Sequence, residues 1–377
     1  MNWKIPLFKV YWDKEDVKNV TKVISSGMCW AEGQAIEEFE HKIANYIGSK
    51  YCLVFNSGTS VLHALLLAYG IKQGDEVIVP SFTFISTANA PLFVGAKPVF
   101  ADIEEETFGL DPEDVKAKIT SKTKAIIPIH YGGCPCRIDQ LRKIAQKNKL
   151  VLIEDAAESF GAKLKNKKVG TFGSSAMLSF CQNKVITTGE GGAAVTNSRK
   201  IYEKLKLIRS HGRSAKNNYF SSTASLEYIA LGYNFRMPSF VAALGIAQLK
   251  KAGQIVQMRR NNAAYLSAKL SREVKEIMIP CPAKGYFHVY QLYTVRVKKN
   301  RDGLMKYLAA KGIMTKIYFA PVHLTHFYKN RLRQKYKLPV TEKISKQVLT
   351  LPIYPTLTRK EMDYVVEKIK GFLRREK

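Results

Sequence analysis

Short apolar runs alternate with helix-period patterns through the first two thirds of the chain. The runs at 51–55, 76–80, 97–102, 125–130, 150–155, 176–180 and 192–196 read as buried strands. Helical spacing fills 60–70, 84–94, 111–118, 138–148 and 199–210 between them. This alternation predicts an α/β fold, a mainly parallel seven-stranded sheet flanked by helices. Past about residue 245 the texture changes. Helical patterning covers 241–272, Tyr290–Val297 reads as a strand and 302–311 as a helix. Thr358-Arg359-Lys360-Glu361 has the form of a capping box, and Met362, Val365, Val366 and Ile369 behind it follow helical spacing. The chain is therefore expected to divide into a large α/β domain over 1–245 and a smaller C-terminal α+β domain over 246–377.

Composition adds one anomaly. At 377 residues, 46% hydrophobic and 24% charged, the chain suits a globular protein with a substantial core. Its 60 Lys and Arg against 31 Asp and Glu leave a net charge of +29, a balance that attracts polyanions. The basic residues recur along predicted helix surfaces (Lys200, Lys204, Lys206; Lys250, Lys251; Lys368, Lys370), as expected of a generally basic surface. A DNA-binding regulator fits the charge, but no helix-turn-helix, zinc module or basic zipper is legible. Cysteines stand at 29, 52, 134, 136, 181 and 281, without metal-site spacing. No metal is expected, and a reduced, cytoplasmic protein is. Met1–Pro6 lacks a signal-peptide core, and no apolar run approaches the roughly 20 residues of a membrane span.

Chemistry concentrates where strands end, the usual ligand edge of such sheets. Val151-Leu152-Ile153-Glu154-Asp155 delivers an acid at the end of an apolar strand, where ionisation is costly without a partner. Ser179-Phe180-Cys181-Gln182-Asn183-Lys184 places a lysine on a turn before the Gly-rich bend Thr188-Gly189-Glu190-Gly191-Gly192. A lysine able to form a Schiff base and an acid able to keep a pyridine nitrogen protonated are the pair that pyridoxal phosphate chemistry requires. Lys184 and Asp155 are the candidates. Asn56-Ser57-Gly58-Thr59-Ser60 opens a predicted helix, either as a plain N-cap or as a phosphate cradle of exposed amides. It is not a P-loop, because no Gly-Lys-Ser/Thr follows.

Taken in order, Asn-Ser-Gly-Thr (56–59), Pro-Ser-Phe-Thr-Phe (80–84), Glu-Asp-Ala-Ala (154–157), Ser-Phe…Lys (179–184) and Thr-Gly-Glu-Gly-Gly (188–192) resemble the DegT/DnrJ/EryC1/StrS family. These are fold-type I, pyridoxal-phosphate-dependent aminotransferases acting on nucleotide-linked keto sugars. The likeness continues through Leu207–Gly212, Gly232-Tyr233-Asn234-Phe235-Arg236-Met237 and Leu351–Pro355, nearly the whole chain. The resemblance implies that Lys184 carries the cofactor covalently and shuttles the proton, and that Asp155 holds the pyridine nitrogen. Gly58, Thr59 and Ser179 would bind the cofactor phosphate, and Phe84 would stack on the ring, a position equally suited to core. Glu158 stands where relatives often carry Gln or His near the cofactor hydroxyl, and an acid there needs a proton or a partner. Asn234 would reach the phosphate of the neighbouring subunit, which makes a homodimer part of the site. His323, in Pro321-Val322-His323, matches a substrate-side position or serves as an interface histidine, and Arg236 is a second substrate-side candidate.

Some relatives replace the lysine with histidine and dehydrate the sugar; Lys184 favours amino transfer here. The reaction implied runs in two halves, with glutamate as the usual donor and a nucleotide-diphosphate keto sugar as acceptor, in amino-sugar or polysaccharide biosynthesis. Dehydration or racemisation on the same cofactor is the alternative chemistry. Loops such as 213–230 are expected to choose the sugar.

Overall fold

The computed structural model describes residues 3–214, 227–332 and 335–375. In chain order the first strands are β1 (Tyr51–Phe55), β2 (Glu76–Pro80), β3 (Lys97–Ala101), β4 (Thr123–Ile126) and β5 (Val151–Asp155). Next come the short β6 (Lys163–Leu164) and β7 (Lys167–Lys168), then β8 (Ser175–Ser179) and β9 (Gly192–Thr196). Seven of these make one sheet in the order β1-β9-β8-β5-β4-β2-β3. Its β2–β3, β2–β4, β4–β5 and β5–β8 pairings are parallel, and β9 runs antiparallel to both its neighbours. The expected α/β architecture with a mainly parallel seven-stranded sheet is therefore the one observed.

The strands are apolar because the sheet is covered on both faces. Helix Gly58–Ala68 buries Val61, Leu62, Leu65 and Leu66 against Val77, Val79 and Phe100. On the other side Phe39, Ile43 and Ile47 from helix Gln34–Ile47 pack with Val54, Leu178 and Val195. That helix and its predecessor, Lys14–Ser25, were not among the elements expected from the pattern. Strand four is shorter than its apolar run. Pro128 has no N–H to give the ladder, and beyond Ile126 only single contacts persist, such as His130 N–H to the Asp155 carbonyl at 3.1 Å.

The remaining strands are β10 (Ile277–Met278), β11 (Tyr286–Phe287), β12 (Tyr293–Val297) and β13 (Val348–Leu351). A second sheet, β10-β12-β13, is antiparallel and backed by helices Arg301–Ala310 and Arg359–Arg375. The capping box forms as expected: Thr358 N–H reaches Glu361 Oε2 at 2.8 Å, and Glu361 N–H reaches Thr358 Oγ1 at 3.2 Å. The helical stretch expected over 241–272 is two helices, Ser239–Lys250 and Ala252–Glu273. Lys251 breaks it with φ −103° and ψ 7°, and its ammonium is held 2.7 Å from Asp13 Oδ1 and 2.5 Å from Asp16 Oδ2. The second helix carries the chain between cores, with Ile255 and Val256 in one and Leu266 and Leu270 in the other. Among the described residues no helix is long and apolar enough to cross a membrane.

Candidate active site

The strand ends bring the sequence candidates to one edge of the sheet. Gly192, the first residue of β9, lies between Phe55 of β1 and Ser179 of β8 in register. This close approach is why glycine is needed. A Cβ on Gly192 would sit 2.7 Å from the Ser57 carbonyl carbon and the Gly58 nitrogen. A Cβ on Gly58 would meet Met177 Sδ at 2.9 Å and Ser179 Cβ at 3.4 Å. Ser57 caps the helix that starts at Gly58 by accepting Ser60 N–H on its Oγ at 3.1 Å. The helix's positive end, with Thr59 in it, faces the half-buried Ser179, an arrangement favourable to an anion.

Asp155 ends β5 and is buried. Its Oδ1 accepts Ala157 N–H at 3.1 Å and its Oδ2 accepts Thr87 Oγ1–H at 2.7 Å. Thr87 Oγ1 is in turn 2.8 Å from Thr83 Oγ1, so Thr83 donates into a short relay ending on the carboxylate. Burial pushes the Asp155 carboxyl up; Thr87, Ala157, Lys184 and His130 pull it back. Thr87 escaped the sequence reading, and Thr83 entered it only as part of the 80–84 motif, although Thr-x-x-x-Thr across the start of a helix is the spacing that lets one hydroxyl reach the next.

Glu154, the neighbour of Asp155, faces the other way and builds the floor. One oxygen accepts Phe172 and Gly173 N–H, both at 2.7 Å; the other accepts Gly170 N–H at 2.8 Å and His130 Nε2–H at 3.1 Å. His130 Nδ1 accepts Cys136 N–H at 3.1 Å, which places the ring proton on Nε2. Alternation along β5 therefore turns one acid to structure and the next to the site.

Lys184 stands on the turn after β8, its N–H bonded to the Cys181 carbonyl at 2.9 Å and its side chain 14% exposed. Its Nζ is 3.7 Å from Glu158 Oε1, and Glu158 Oε2 accepts Gly132 N–H at 2.8 Å. Gln291, also missed by the sequence reading, donates from Nε2 to the Asn183 carbonyl and so holds the turn that presents Lys184. Its Oε1 is buried without a partner among the described residues. Nothing local in the sequence marks it, because it lies 108 positions from Asn183.

Phe84 is 56% exposed and so is not core; Phe319 is a ring neighbour at 6.4 Å between centroids. Asn234 is exposed, and its carbonyl lies 3.5 Å from Asn56 Nδ2. His323 is buried with both ring nitrogens engaged. Ser81 Oγ–H donates to Nδ1 at 2.6 Å while accepting His323 N–H at 3.0 Å, and Nε2 faces Glu342 Oε1 at 3.4 Å. Burial pushes that imidazole's pKa down. These contacts describe a histidine tying the Ser81 loop to the segment around Glu342. Arg236 donates to Ser210 Oγ at 3.1 Å, lies 4.0 Å from Glu32 Oε1, and lines a cleft of about 1090 Å³ with Glu32, Glu40, Arg209 and Arg213. His323 and Arg236 thus have partners other than Asp155, Glu158 and Lys184. Of the 213–230 loop expected to choose the sugar, 215–226 lie outside the described residues.

The start of the Gly58 helix, the buried Asp155, the half-buried Lys184 and the exposed Phe84 all lie within the ordered motifs. The family model for DegT/DnrJ/EryC1/StrS aminotransferases matches residues 10–370. The chain belongs to that family. It is accordingly an enzyme of the aminotransferase class. An uncharacterised protein of Methanocaldococcus jannaschii is 38% identical over 97% of both chains. GDP-perosamine synthase of Escherichia coli O157:H7 is 35% identical over 98% of both. Among solved structures, Helicobacter pylori PseC, an aminotransferase of pseudoaminic acid biosynthesis, superposes with a TM-score of 0.92 at 28% identity, covering 98% of this chain and 99% of that one. The DegT/DnrJ/EryC1/StrS likeness thus runs through all three sheets of the described residues, the small β11-β6-β7 sheet included, and is not confined to the strand-end motifs.

Proposed function

We propose that this protein transfers an amino group, with glutamate as donor, to the keto group of a nucleotide-diphosphate-linked sugar, using pyridoxal 5'-phosphate. The observation that carries the reading is the convergence of Lys184 and the buried Asp155 on the edge where the Gly58 helix opens. The residues present fit the cofactor. The cradle at Gly58, Thr59 and Ser179 has no room for side-chain carbon at its glycine and would hold the phosphate. Phe84 would cover one face of the ring, and Asp155 would pair with its nitrogen. When bound, that group supplies an electron sink for the carbanion left at the donor's α-carbon.

The protein's own residues do the rest. Asp155, steadied by Thr87 and Ala157, keeps a negative charge in a dry site where a positive nitrogen is its natural partner. Lys184, held by the turn that Gln291 fixes, is the base and acid that moves the proton between carbons. A basic surface steers a substrate bearing two phosphates. The proposal includes the division into a large domain over 1–245 and a smaller one over 246–377, a cytoplasmic location and a homodimer with shared sites.

The direct test is a screen of 3-keto and 4-keto nucleotide sugars with glutamate, read by mass. GDP-linked sugars head the panel, since three relatives are GDP-perosamine synthases. A product carrying nitrogen in place of the keto oxygen is expected; no amination of any panel member, with cofactor bound, refutes the acceptor class. The shared site has its own test. A hybrid dimer of one Lys184→Ala protomer and one Asn234→Ala protomer should regain one intact site, about half the wild-type rate per dimer, if Asn234 serves the neighbour. A hybrid as inactive as its parents assigns Asn234 to its own subunit.

A further inference from the structure

Glu158 is a buried acid, and the structure gives each of its oxygens a partner. Oε2 is fixed by Gly132 N–H at 2.8 Å, which leaves Oε1 aimed at Lys184 Nζ, 3.7 Å away. The carboxylate is 3% exposed, so water does not screen it. The groups around it are mostly anionic or neutral. Burial above all pushes the Glu158 carboxyl up, and the charge of Asp155 adds to it; Lys184 and Gly132 N–H act against them. Tyr131 and Tyr318 feel Glu158 in return: burial pushes both phenols up, and the Glu158 charge adds to it. His130, the other basic group close to Asp155, has its ring proton committed to Glu154.

We propose that Glu158 is the counter-ion of Lys184 whenever that lysine is not bonded to the cofactor, a positioning residue that shares one proton with it. Once a side-chain rotation closes the 3.7 Å gap to hydrogen-bond distance, a proton passing from Nζ to Oε1 turns ammonium and carboxylate into amine and carboxylic acid, with nothing exchanged with solvent. The lysine can then become a neutral base inside a closed site, and its ammonium has a fixed place to wait. A glutamine could keep the hydrogen bond from Gly132 N–H but offers neither the charge nor a site for the proton. This inference rests on the reading of Lys184 as the covalent lysine, and its geometry concerns the free amine.

The test uses the full-length protein without added cofactor, with ¹³C-labelled Glu carboxyls followed by NMR and the Glu158 signal assigned by its loss in Glu158→Asp. In Lys184→Met the Glu158 carboxyl should titrate about one pH unit higher than in wild type, a tenfold change in proton affinity. Coincident titrations overturn the proposal. Conversely, in Glu158→Gln the Lys184 peptide should react about tenfold faster with trinitrobenzenesulfonate at neutral pH, with other lysines unchanged and Glu158→Asp restoring most of the protection. An unchanged Lys184 rate also overturns it. If Glu158→Gln does not fold, the Lys184→Met titration decides alone. Borohydride reduction of wild type loaded with pyridoxal phosphate keeps the two readings apart. An adduct on Lys184 with unmoved titrations removes only the counter-ion, whereas no adduct removes the proposed function.

Discussion

Lys184→Ala is expected to lower complete turnover by more than about 10⁴-fold, because one substitution removes both the covalent attachment and the proton carrier. Borohydride reduction should leave no cofactor on the variant, whereas wild type should carry one adduct at residue 184. The alanine variant also strands Glu158, a carboxylate 3% exposed whose cation lies 3.7 Å away. Part of its loss could therefore be structural. Lys184→Arg separates the two effects: it restores a positive charge beside Glu158 but cannot bond to the aldehyde at neutral pH. The arginine variant should melt near the wild-type temperature and still be inactive. Wild-type rates in either variant would end the assignment of Lys184.

Asp155→Asn should cost about 10²–10³-fold in rate, the range for losing one fixed electrostatic partner of a developing charge. The amide can keep its oxygen on Ala157 N–H and donate from its nitrogen to Thr87 Oγ1, which then turns its own proton towards Thr83, so the packing survives while the charge does not. Asp155→Ala should lose at least as much rate and also destabilise by about 1–3 kcal/mol, since both donors would be left unmet. Stability without cofactor gives a signed check. Burial raises the Asp155 carboxyl, so the folded state binds that proton more tightly than the unfolded chain does. Its contribution to stability therefore falls as pH rises from the ordinary carboxylate range through the raised folded value. Thermal melts of cofactor-free Asp155→Asn should accordingly match or exceed wild type near neutral pH, with the difference closing towards pH 4. A variant that is less stable near neutral pH, or that keeps near-normal kinetics, would refute the role given to Asp155.

Much of the molecule was legible in one dimension. Seven apolar runs of strand length gave seven strands within a few residues, because strands covered on both faces must be apolar throughout. Local chemistry marked Lys184, Asp155, Gly58 and Ser179, since each lies at a strand end or turn where composition changes abruptly. The antiparallel course of β9 was not legible. It depends on the chain from Phe180 to Gly191 folding back, with Phe180 N–H bonded to the Gly191 carbonyl, and not on any residue of the strand itself.

What the amino-acid order determined by itself was the seven strands of the large sheet and the family, with Lys184 and Asp155 as the candidate pair, because periodicity, turn chemistry and ordered motifs are local signals. Only the tertiary structure decided which groups serve that pair. Thr87 meets Asp155 across 68 positions, Gln291 meets Asn183 across 108, and Ser81 meets His323 across 242. It gave Glu158 its cation, turned Phe84 outward and drew His323 inward. Side chains that far apart in sequence are brought within hydrogen-bond reach by sheet order and helix packing, long-range consequences of burying the whole core at once.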